Sequence, residues 1–341
     1  MRHRPLLPLL LGAMVAALMG CAEVPEKKDF SNLVWPPAPE QPRIRFLAEY
    51  RGQSDFGRDS LKTSLLGVES TGWVLQKPYG VTASKDGNQI YVTDTKLHTI
   101  LVFDLKERLV KPMPLDARGG LRNPLEIRVD SKGRFYVTDS ERNELLVYSA
   151  EGKTLMALGK KEEIGRPTGL ALDEARNRIY VADTTRHRIV VYDFEGKFIG
   201  AFGERGSDPG QFNYPVNLSV DKDGNLLVVD SANFRVQLLS PEGRFISAFG
   251  RLGDAMGTFS RPKGIALDSD GNVYVADAAF NNFQIFNREG KILLFVGQLG
   301  RDPGMFWLPA GMYMDEADRL YVADSVNGRV QVFQYLKEER R

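Results

Sequence analysis

The sequence predicts an all-β protein, a six-bladed β-propeller, and three features of its 341 residues indicate this fold. A proline recurs six times at intervals of 43 to 48 residues, and an aspartate that ends an apolar run recurs at intervals of 44 to 47. Turn pairs such as Asp-Gly and Glu-Gly separate four short apolar runs within a copy. Four short strands per unit of about 45 residues are typical of a propeller blade.

The two recurring residues define six repeats. The prolines are Pro78, Pro124, Pro167, Pro215, Pro262 and Pro309, and the aspartates are Asp94, Asp139, Asp183, Asp230, Asp277 and Asp324. The predicted repeats span approximately residues 78–122, 123–165, 166–213, 214–260, 261–307 and 308–336. A proline just before the first strand of a blade costs no ladder hydrogen bond. We therefore expect the proline to lie at the start of each repeat, just before the first strand.

The fifth repeat shows the strand pattern most clearly. Residues 264–267 form the first predicted strand, and Asp270-Gly271 is a hairpin turn whose residues tolerate positive φ. The second, third and fourth strands are predicted at residues 273–276, 283–286 and 292–296.

The N-terminal strand is expected to complete the last blade. The sixth repeat supplies three strands before the chain ends, and residues 43–50 resemble the last strand of a blade. Pairing of the two chain ends closes the ring and removes exposed sheet edges. A short helix is predicted at residues 59–68, because Leu61, Leu65 and Leu66 fall at helical spacing.

Residues 1–20 form a predicted signal peptide, with two arginines followed by an apolar stretch. Its end, Leu18 to Cys21, resembles the lipobox of bacterial lipoproteins, in which the cysteine is lipidated and the peptide is cut before it. Cys21 is the one cysteine of the chain, so no internal disulfide can form. Since Ala22 follows the cysteine, the resemblance implies a lipid anchor in the bacterial outer membrane that faces the periplasm.

Residues 21–42 contain five prolines and are predicted to form an extended, mobile tether. Trp35 is unusual for a spacer, and two positions are open for it: it docks on the propeller, or it lies at the membrane interface.

The composition indicates a globular protein with an ample core, since 43% of the residues are hydrophobic. The formal net charge of +1 gives no reason to expect a nucleic-acid partner. We expect a monomeric propeller.

The repeats also resemble a known family. The run Pro-x-Gly-hydrophobic, Asp-x-Gly-Asn, Val-Tyr-Val-Ala-Asp and Asn-x-Arg-Val-x-Val-Phe is similar to the NHL repeat, most closely at residues 166–193 and 308–333. The resemblance covers residues 78–336 and implies a six-bladed propeller. It implies no activity, because propellers host unrelated functions.

The repeated aspartate is the first candidate for chemistry. Five residues after it, three blades carry Arg188, Arg235 and Arg329. A ring of six carboxylates could bind a metal or a substrate. Because the aspartate occurs in every blade, the pattern favours a structural role, in which it accepts hydrogen bonds within its own loop and pairs with the arginine.

Two polar residues replace glycine near the predicted axis. Two positions after the repeated proline, four blades have glycine, whereas blades two and four have Glu126 and Asn217. Gluconolactonase-like propellers hold calcium with a Glu, an Asn and an Asp near the axis, and this loose resemblance makes the pair candidate calcium ligands. Alternatively, each side chain forms a hydrogen bond to a neighbouring blade.

Further candidates surround the channel mouth. His98 and His187 each follow the repeated aspartate by four residues. The NHL-like amidating lyases hold zinc in a His-rich site, but three such histidines are not found here, and surface positions are expected. The same rim carries five cations, which could bind an acidic peptide or glycan or be merely solvated: Lys77, Arg122, Arg166, Arg261 and Lys263.

Two classes of function remain. The favoured one is a membrane-anchored extracytoplasmic propeller that acts as a non-catalytic binding platform for a protein or an envelope polymer and needs no cofactor. The other is a calcium- or zinc-dependent hydrolase or lyase that acts at the channel mouth. No catalytic residue is assigned, because the propeller has neither a Gly-x-Ser-x-Gly motif nor a cysteine nucleophile.

Overall fold

The computed structural model describes residues 30, 32–57, 72–116, 120–159 and 163–337. They form six antiparallel sheets, which are the six predicted blades. Blades one to five each have four strands in consecutive order, and blade six has five. The all-β propeller prediction is thus confirmed.

The strands of the first three blades are β3 (Pro78–Ala83), β4 (Gln89–Asp94), β5 (Thr99–Asp104) and β6 (Leu109–Pro112); β7 (Pro124–Val129), β8 (Phe135–Asp139), β9 (Glu144–Tyr148) and β10 (Thr154–Leu158); and β11 (Pro167–Asp173), β12 (Arg178–Asp183), β13 (Arg188–Tyr192) and β14 (Phe198–Phe202).

Blades four and five consist of β15 (Pro215–Val220), β16 (Leu226–Asp230), β17 (Arg235–Leu239) and β18 (Phe245–Phe249); and β19 (Pro262–Leu267), β20 (Val273–Asp277), β21 (Asn282–Phe286) and β22 (Ile292–Val296). Blade six consists of β1 (Val34–Trp35), β2 (Ile44–Tyr50), β23 (Pro309–Met314), β24 (Arg319–Asp324) and β25 (Arg329–Tyr335). Single 3-10 turns lie at Gln53–Phe56, Thr184–Arg186 and Ser231–Asn233.

The hydrophobic core lies between the blades. Each apolar cluster joins two neighbouring blades, and between blades four and five it contains Val229 from one sheet and Val275 from the other. Phe259, from the loop that connects these blades, is fully buried in the same cluster. Because every blade uses both of its faces in this way, the strands are apolar on both sides and not strictly alternating.

The two ends of the chain close the ring, as predicted. β2 pairs antiparallel with β25, with Ile44 opposite Tyr335 and Phe46 opposite Phe333. Glu49 on β2 also forms an ion pair with Arg329, whose side chain is fully buried. The fourth strand of blade six therefore comes from the N-terminal part of the chain.

The last part of the predicted tether is docked on the propeller. β1 pairs with the start of β2, and the ring of Trp35 lies edge-on to that of Phe333 at a centroid distance of 5.8 Å. Phe30 and Leu33 pack against the same apolar cluster between blades five and six. The extended, mobile segment predicted for residues 21–42 therefore does not reach residue 42, because these apolar side chains bury area against blade six.

The signal peptide, Cys21 and the helix predicted at residues 59–68 lie outside the described residues. Among the residues that are described, the helices are all too short and too polar to cross a membrane.

Candidate functional site

The end of the propeller at which each first strand begins is called the proline face below. On this face the repeated proline pairs with the repeated aspartate of the second strand, as Pro78 does with Asp94. The loops between blades and the loops between second and third strands therefore share this face. The mouth of the central channel lies where the six first strands converge.

The repeated aspartates hold these loops in place. Asp94 is fully buried and accepts backbone N–H bonds from Gln76 and Lys77 at 2.7 and 2.9 Å, and from Lys96 and Leu97 at 3.0 Å each. A carboxylate that accepts four hydrogen bonds has little capacity left for a ligand.

The arginines that follow five residues later pair with this carboxylate. The Nε–Oδ2 distances are 3.2 Å for Arg188 with Asp183, 2.8 Å for Arg235 with Asp230 and 2.7 Å for Arg329 with Asp324. Burial raises the pKa of Asp324, and its hydrogen bonds and Arg329 oppose that effect. The geometry therefore agrees with a structural role for the repeated aspartate. It does not agree with a ring of carboxylates that binds a metal.

Glu126 and Asn217 meet directly inside the channel. Asn217 Nδ2 donates to Glu126 Oε2 at 2.7 Å, and both side chains are buried. The other carboxylate oxygen accepts from Arg128 Nη1 at 2.5 Å and from the backbone N–H of Ile127 at 3.3 Å. Burial raises the pKa of Glu126, whereas Arg128 and Asn217 lower it.

Arg128 extends this network to other blades. Its guanidinium donates to the carbonyl of Met312 in blade six at 3.2 Å and lies 5.7 Å from the ring centre of Tyr313. It also reaches the carbonyl of Val81 in blade one at 3.4 Å. Glu126, Arg128 and Asn217 thus connect four blades across the axis.

Glu126 and Asn217 belong to blades two and four, which blade three separates in the ring. The glycine of blade three lets its first strand approach that of blade four closely, because a Cβ on Gly169 would lie 2.4 Å from the Cα of Asn217. The amide of Asn217 and the carboxylate of Glu126 reach each other and form a hydrogen bond. The described residues contain no group of three or more His, Cys, Asp and Glu side chains that could hold a metal ion.

The two histidines are not brought together. His98 and His187 both have left-handed backbone conformations, with φ of 52° and 54°, and each contacts the next blade. His98 Nδ1 contacts the carbonyl of Arg122, and His187 Nδ1 accepts from the backbone N–H of Tyr214 at 3.2 Å. In blade five, Asn281 occupies the same position and accepts from Leu308 N at 2.9 Å. The position is therefore an inter-blade contact.

The five rim cations lie on the proline face, and the repeated aspartates fix their backbones. The N–H groups of four of them donate to Asp94, Asp139, Asp183 and Asp277 at distances between 2.6 and 3.1 Å. These four are Lys77, Arg122, Arg166 and Arg261. Within the described part of the chain, no carboxylate forms an ion pair with their side chains or with that of Lys263.

Lys263 lies inside the rim. Its Nζ is 5.2 Å from the ring centre of Tyr79, the residue that follows the repeated proline of blade one. Burial, with the positive charges of Arg261 and Lys77, lowers the pKa of Lys263 to about 8. Burial and the nearby Glu126 raise the pKa of Tyr79 to about 12. Within the described residues, the channel mouth therefore combines an aromatic ring with cations that form no ion pair with a carboxylate.

Sequence reasoning missed the apolar part of this face. The loops that lead into blades five and six expose Leu252, Met256 and Leu299, each more than 60% accessible to solvent. Trp307 is also exposed and lies 6.0 Å from the guanidinium of Arg301. The sequence signal for this apolar surface was the occurrence of apolar residues within glycine-rich loops.

Two family models match the chain. The model described as SMP-30/Gluconolactonase/LRE-like region matches residues 126–250. The NHL repeat model matches residues 259–286 and 306–333, which lie in blades five and six. Together with the six sheets, these matches define the class of protein as a six-bladed propeller. The chain is a six-bladed β-propeller that contains NHL repeats.

Solved structures of diverse proteins share the fold. The virginiamycin B lyase of Staphylococcus aureus matches with a TM-score of 0.58 and 14% identity, covering 86% of this chain and 100% of that one. An auxiliary nutrient binding protein of Bacteroides thetaiotaomicron matches with a TM-score of 0.60 and 14% identity, covering 77% and 70%. Hydrazine synthase of Kuenenia stuttgartiensis matches with 0.57 and 14%, covering 80% and 99%. No curated protein sequence is significantly similar to the chain.

Proposed function

We propose that this propeller is a lipid-anchored, non-catalytic binding platform of the bacterial cell envelope, and that its proline face binds a protein or an envelope polymer. In this proposal Cys21 carries the acyl chains, which hold the protein in the outer membrane on the periplasmic side. The observation that carries the proposal is the proline face itself, whose rim cations form no ion pair with the described carboxylates and whose loops expose apolar side chains. Arginine and aromatic residues are enriched at protein interfaces.

The polar side chains inside the channel already have hydrogen-bond partners, and this favours a binding function over catalysis. The polar atoms of Glu126 and Asn217 bond to each other, to Arg128 and to backbone groups. His187 is engaged with the next blade. The similar structures include both a lyase and a nutrient binding protein, so the shared fold favours neither class. A metal-dependent hydrolase or lyase at the channel mouth therefore has no specific observation in its favour.

The docked segment supports a short connection to the membrane. Phe30 packs against blade six, and it lies nine positions after Cys21 in the sequence. Nine residues span at most about 30 Å when fully extended. The proposed anchor would therefore keep the propeller within about one propeller diameter of the bilayer, close to blade six.

The anchor is tested by cell fractionation of Cys21→Ala. We expect the parent in the membrane fraction with the mass of the acylated chain, and the variant as an unprocessed precursor or in soluble fractions. An unchanged fractionation and an unchanged mass would contradict the anchor.

The binding face is tested by retention of envelope material on the immobilised protein. Lys77→Gln, Arg166→Gln and Arg261→Gln together remove three charges from the proline face. The matched control removes three exposed lysines from the opposite face: Lys106→Gln, Lys222→Gln and Lys291→Gln. We expect the first variant to retain less of the bound component than the parent and the control to retain the same amount. Equal losses in both variants would contradict use of the proline face.

A further inference from the structure

The cations of the channel mouth repel one another, and this repulsion costs free energy unless a negative charge binds near them. Lys263 is partly buried over the ring of Tyr79, and Arg261 and Lys77 lie close enough to repel its charge. Arg166 lies within electrostatic range of the same phenol. A desolvated ammonium group normally has a carboxylate partner, and here the described residues provide none.

The positions of these cations are fixed in advance. The backbone N–H groups of Lys77, Arg166 and Arg261 donate to buried aspartates in three different blades at 2.9 to 3.1 Å. Lys263 follows Pro262 on β19, a strand of the rigid propeller. Side chains from three blades therefore start from rigid backbone and lie within electrostatic range of Lys263 or Tyr79, as in a preorganised binding site.

We propose that the channel mouth is a binding site for an oxyanion group, a phosphate or a carboxylate of the partner molecule, held by Lys263, Arg261, Lys77 and Arg166. This assignment rests on the proposed function, because it names the chemistry by which the proline face recognises its partner. Guanidinium groups match phosphate and carboxylate oxygens with paired hydrogen bonds, and an ammonium group adds a compact charge. The hydrogen-bonded side chains of Glu126, Arg128 and Asn217 lie further along the same channel.

Anion binding at this site depends on pH in a defined direction. The groups that face Lys263 are Arg261, Lys77 and Tyr79, with Glu126 near the phenol. Arg261 and Arg166 remain charged at any pH used, and the phenol of Tyr79 is neutral below about pH 12. Lys263 is therefore the group that loses its charge first, so affinity should fall between about pH 7 and pH 9.

The test is calorimetric titration of the detergent-solubilised full-length protein with inorganic phosphate and, separately, with glucuronate. We expect at least one of the two anions to bind at pH 7 and to bind several-fold more weakly at pH 9. Lys263→Gln should weaken binding by about tenfold or more, since it removes a charge-assisted hydrogen bond. Lys222→Gln, on the opposite face, should bind like the parent. The preferred anion identifies the source as a phosphate or a carboxylate group.

A result in which the parent binds neither anion at 10 mM, at about physiological ionic strength, would overturn the site. So would a Lys263→Gln variant that binds like the parent. If Lys263→Gln does not fold, Arg166→Gln serves in its place, because that side chain is exposed. Retention of envelope material on the proline face is a separate measurement. The anion site can therefore be disproved without disproving the binding platform.

Discussion

Asn217 Nδ2 donates a 2.7 Å hydrogen bond to Glu126 Oε2, and this contact joins blades two and four across the propeller axis. The remaining carboxylate oxygen pairs with Arg128, whose side chain is only 12% exposed. Removal of Glu126 would therefore leave a largely buried positive charge without its partner. Such a loss is among the more costly single changes in a protein.

We predict that Glu126→Ala lowers the free energy of unfolding by about 3 kcal/mol, the magnitude expected for breaking a buried ion pair. Denaturant unfolding measures the change, and Glu289→Ala, at an exposed turn, is the matched control with little expected effect. Added calcium should not shift the melting temperature of the parent, because the Glu126 oxygens are occupied by protein donors. A calcium-dependent shift that disappears in Glu126→Ala would contradict this interpretation.

The closing strand provides the second prediction. Phe46 on β2 is 7% exposed and lies edge-on to Phe333 at 5.7 Å, whereas the neighbouring Leu47 points to solvent. We expect Phe46→Ala to destabilise the protein by about 3 kcal/mol or more, as large-to-small changes in a core do. Leu47→Ala should change stability by less than about 0.5 kcal/mol. Similar melting temperatures for both variants would contradict the shared blade.

The docked tryptophan provides the third prediction. Trp35 lies over Gly304, where an added Cβ would come within 2.4 Å of the indole, and packs against Phe333. We expect Trp35→Ala to cost about 1–3 kcal/mol through lost apolar and aromatic contact. Trp73 is exposed, so Trp73→Ala is the matched control and should unfold like the parent. A Trp35→Ala variant with unchanged stability would show that the segment is free in solution.

Lys263 provides a prediction on pH. Its pKa is about 8 in the folded protein and 10.5 in the unfolded chain, so the unfolded state binds more protons between these values. The free energy of unfolding therefore rises with pH in this window, and the full cost of the buried charge is present below pH 8. We expect Lys263→Met to melt at a higher temperature than the parent at pH 7.

The advantage of Lys263→Met should shrink as the pH approaches 10.5, since the parent then loses the buried charge as well. Lys291→Met, in an exposed turn, is the control and should show no such pH-dependent difference. A Lys263→Met variant that is less stable than the parent at pH 7 would contradict a desolvated, uncompensated lysine.

Much of the fold could be predicted because its signals are local and repeated. Pro78 and Asp94 recur with their spacing in six blades, and residues 43–50 resemble the last strand of a blade. The direct contact between Glu126 and Asn217 was not predicted, because the two alternatives were calcium ligands and hydrogen bonds to a neighbouring blade. Its geometry depends on how closely glycine lets two strands approach, which no spacing in the sequence encodes.

Other parts of the site depend on contacts between distant residues. Arg128 bonds to a carbonyl that is 184 residues away, and its role in the channel has no local signal. Lys263 was identified as one of five rim cations, but its position over Tyr79 follows from the packing of blade five against blade one. Trp35 was left with two possible positions, since the apolar groove that holds it is assembled by blades five and six.

The most direct test of a binding platform is site-specific photo-crosslinking in the cells that produce the protein. A photoreactive residue is placed at Arg166 on the proline face and, as the control, at Lys222 on the opposite face. We expect crosslinking at position 166 to give a defined adduct with an envelope component in the membrane fraction, and position 222 to give none. Adducts of the same yield at both positions, or an adduct at position 222 alone, would contradict the proposal that the proline face binds the partner.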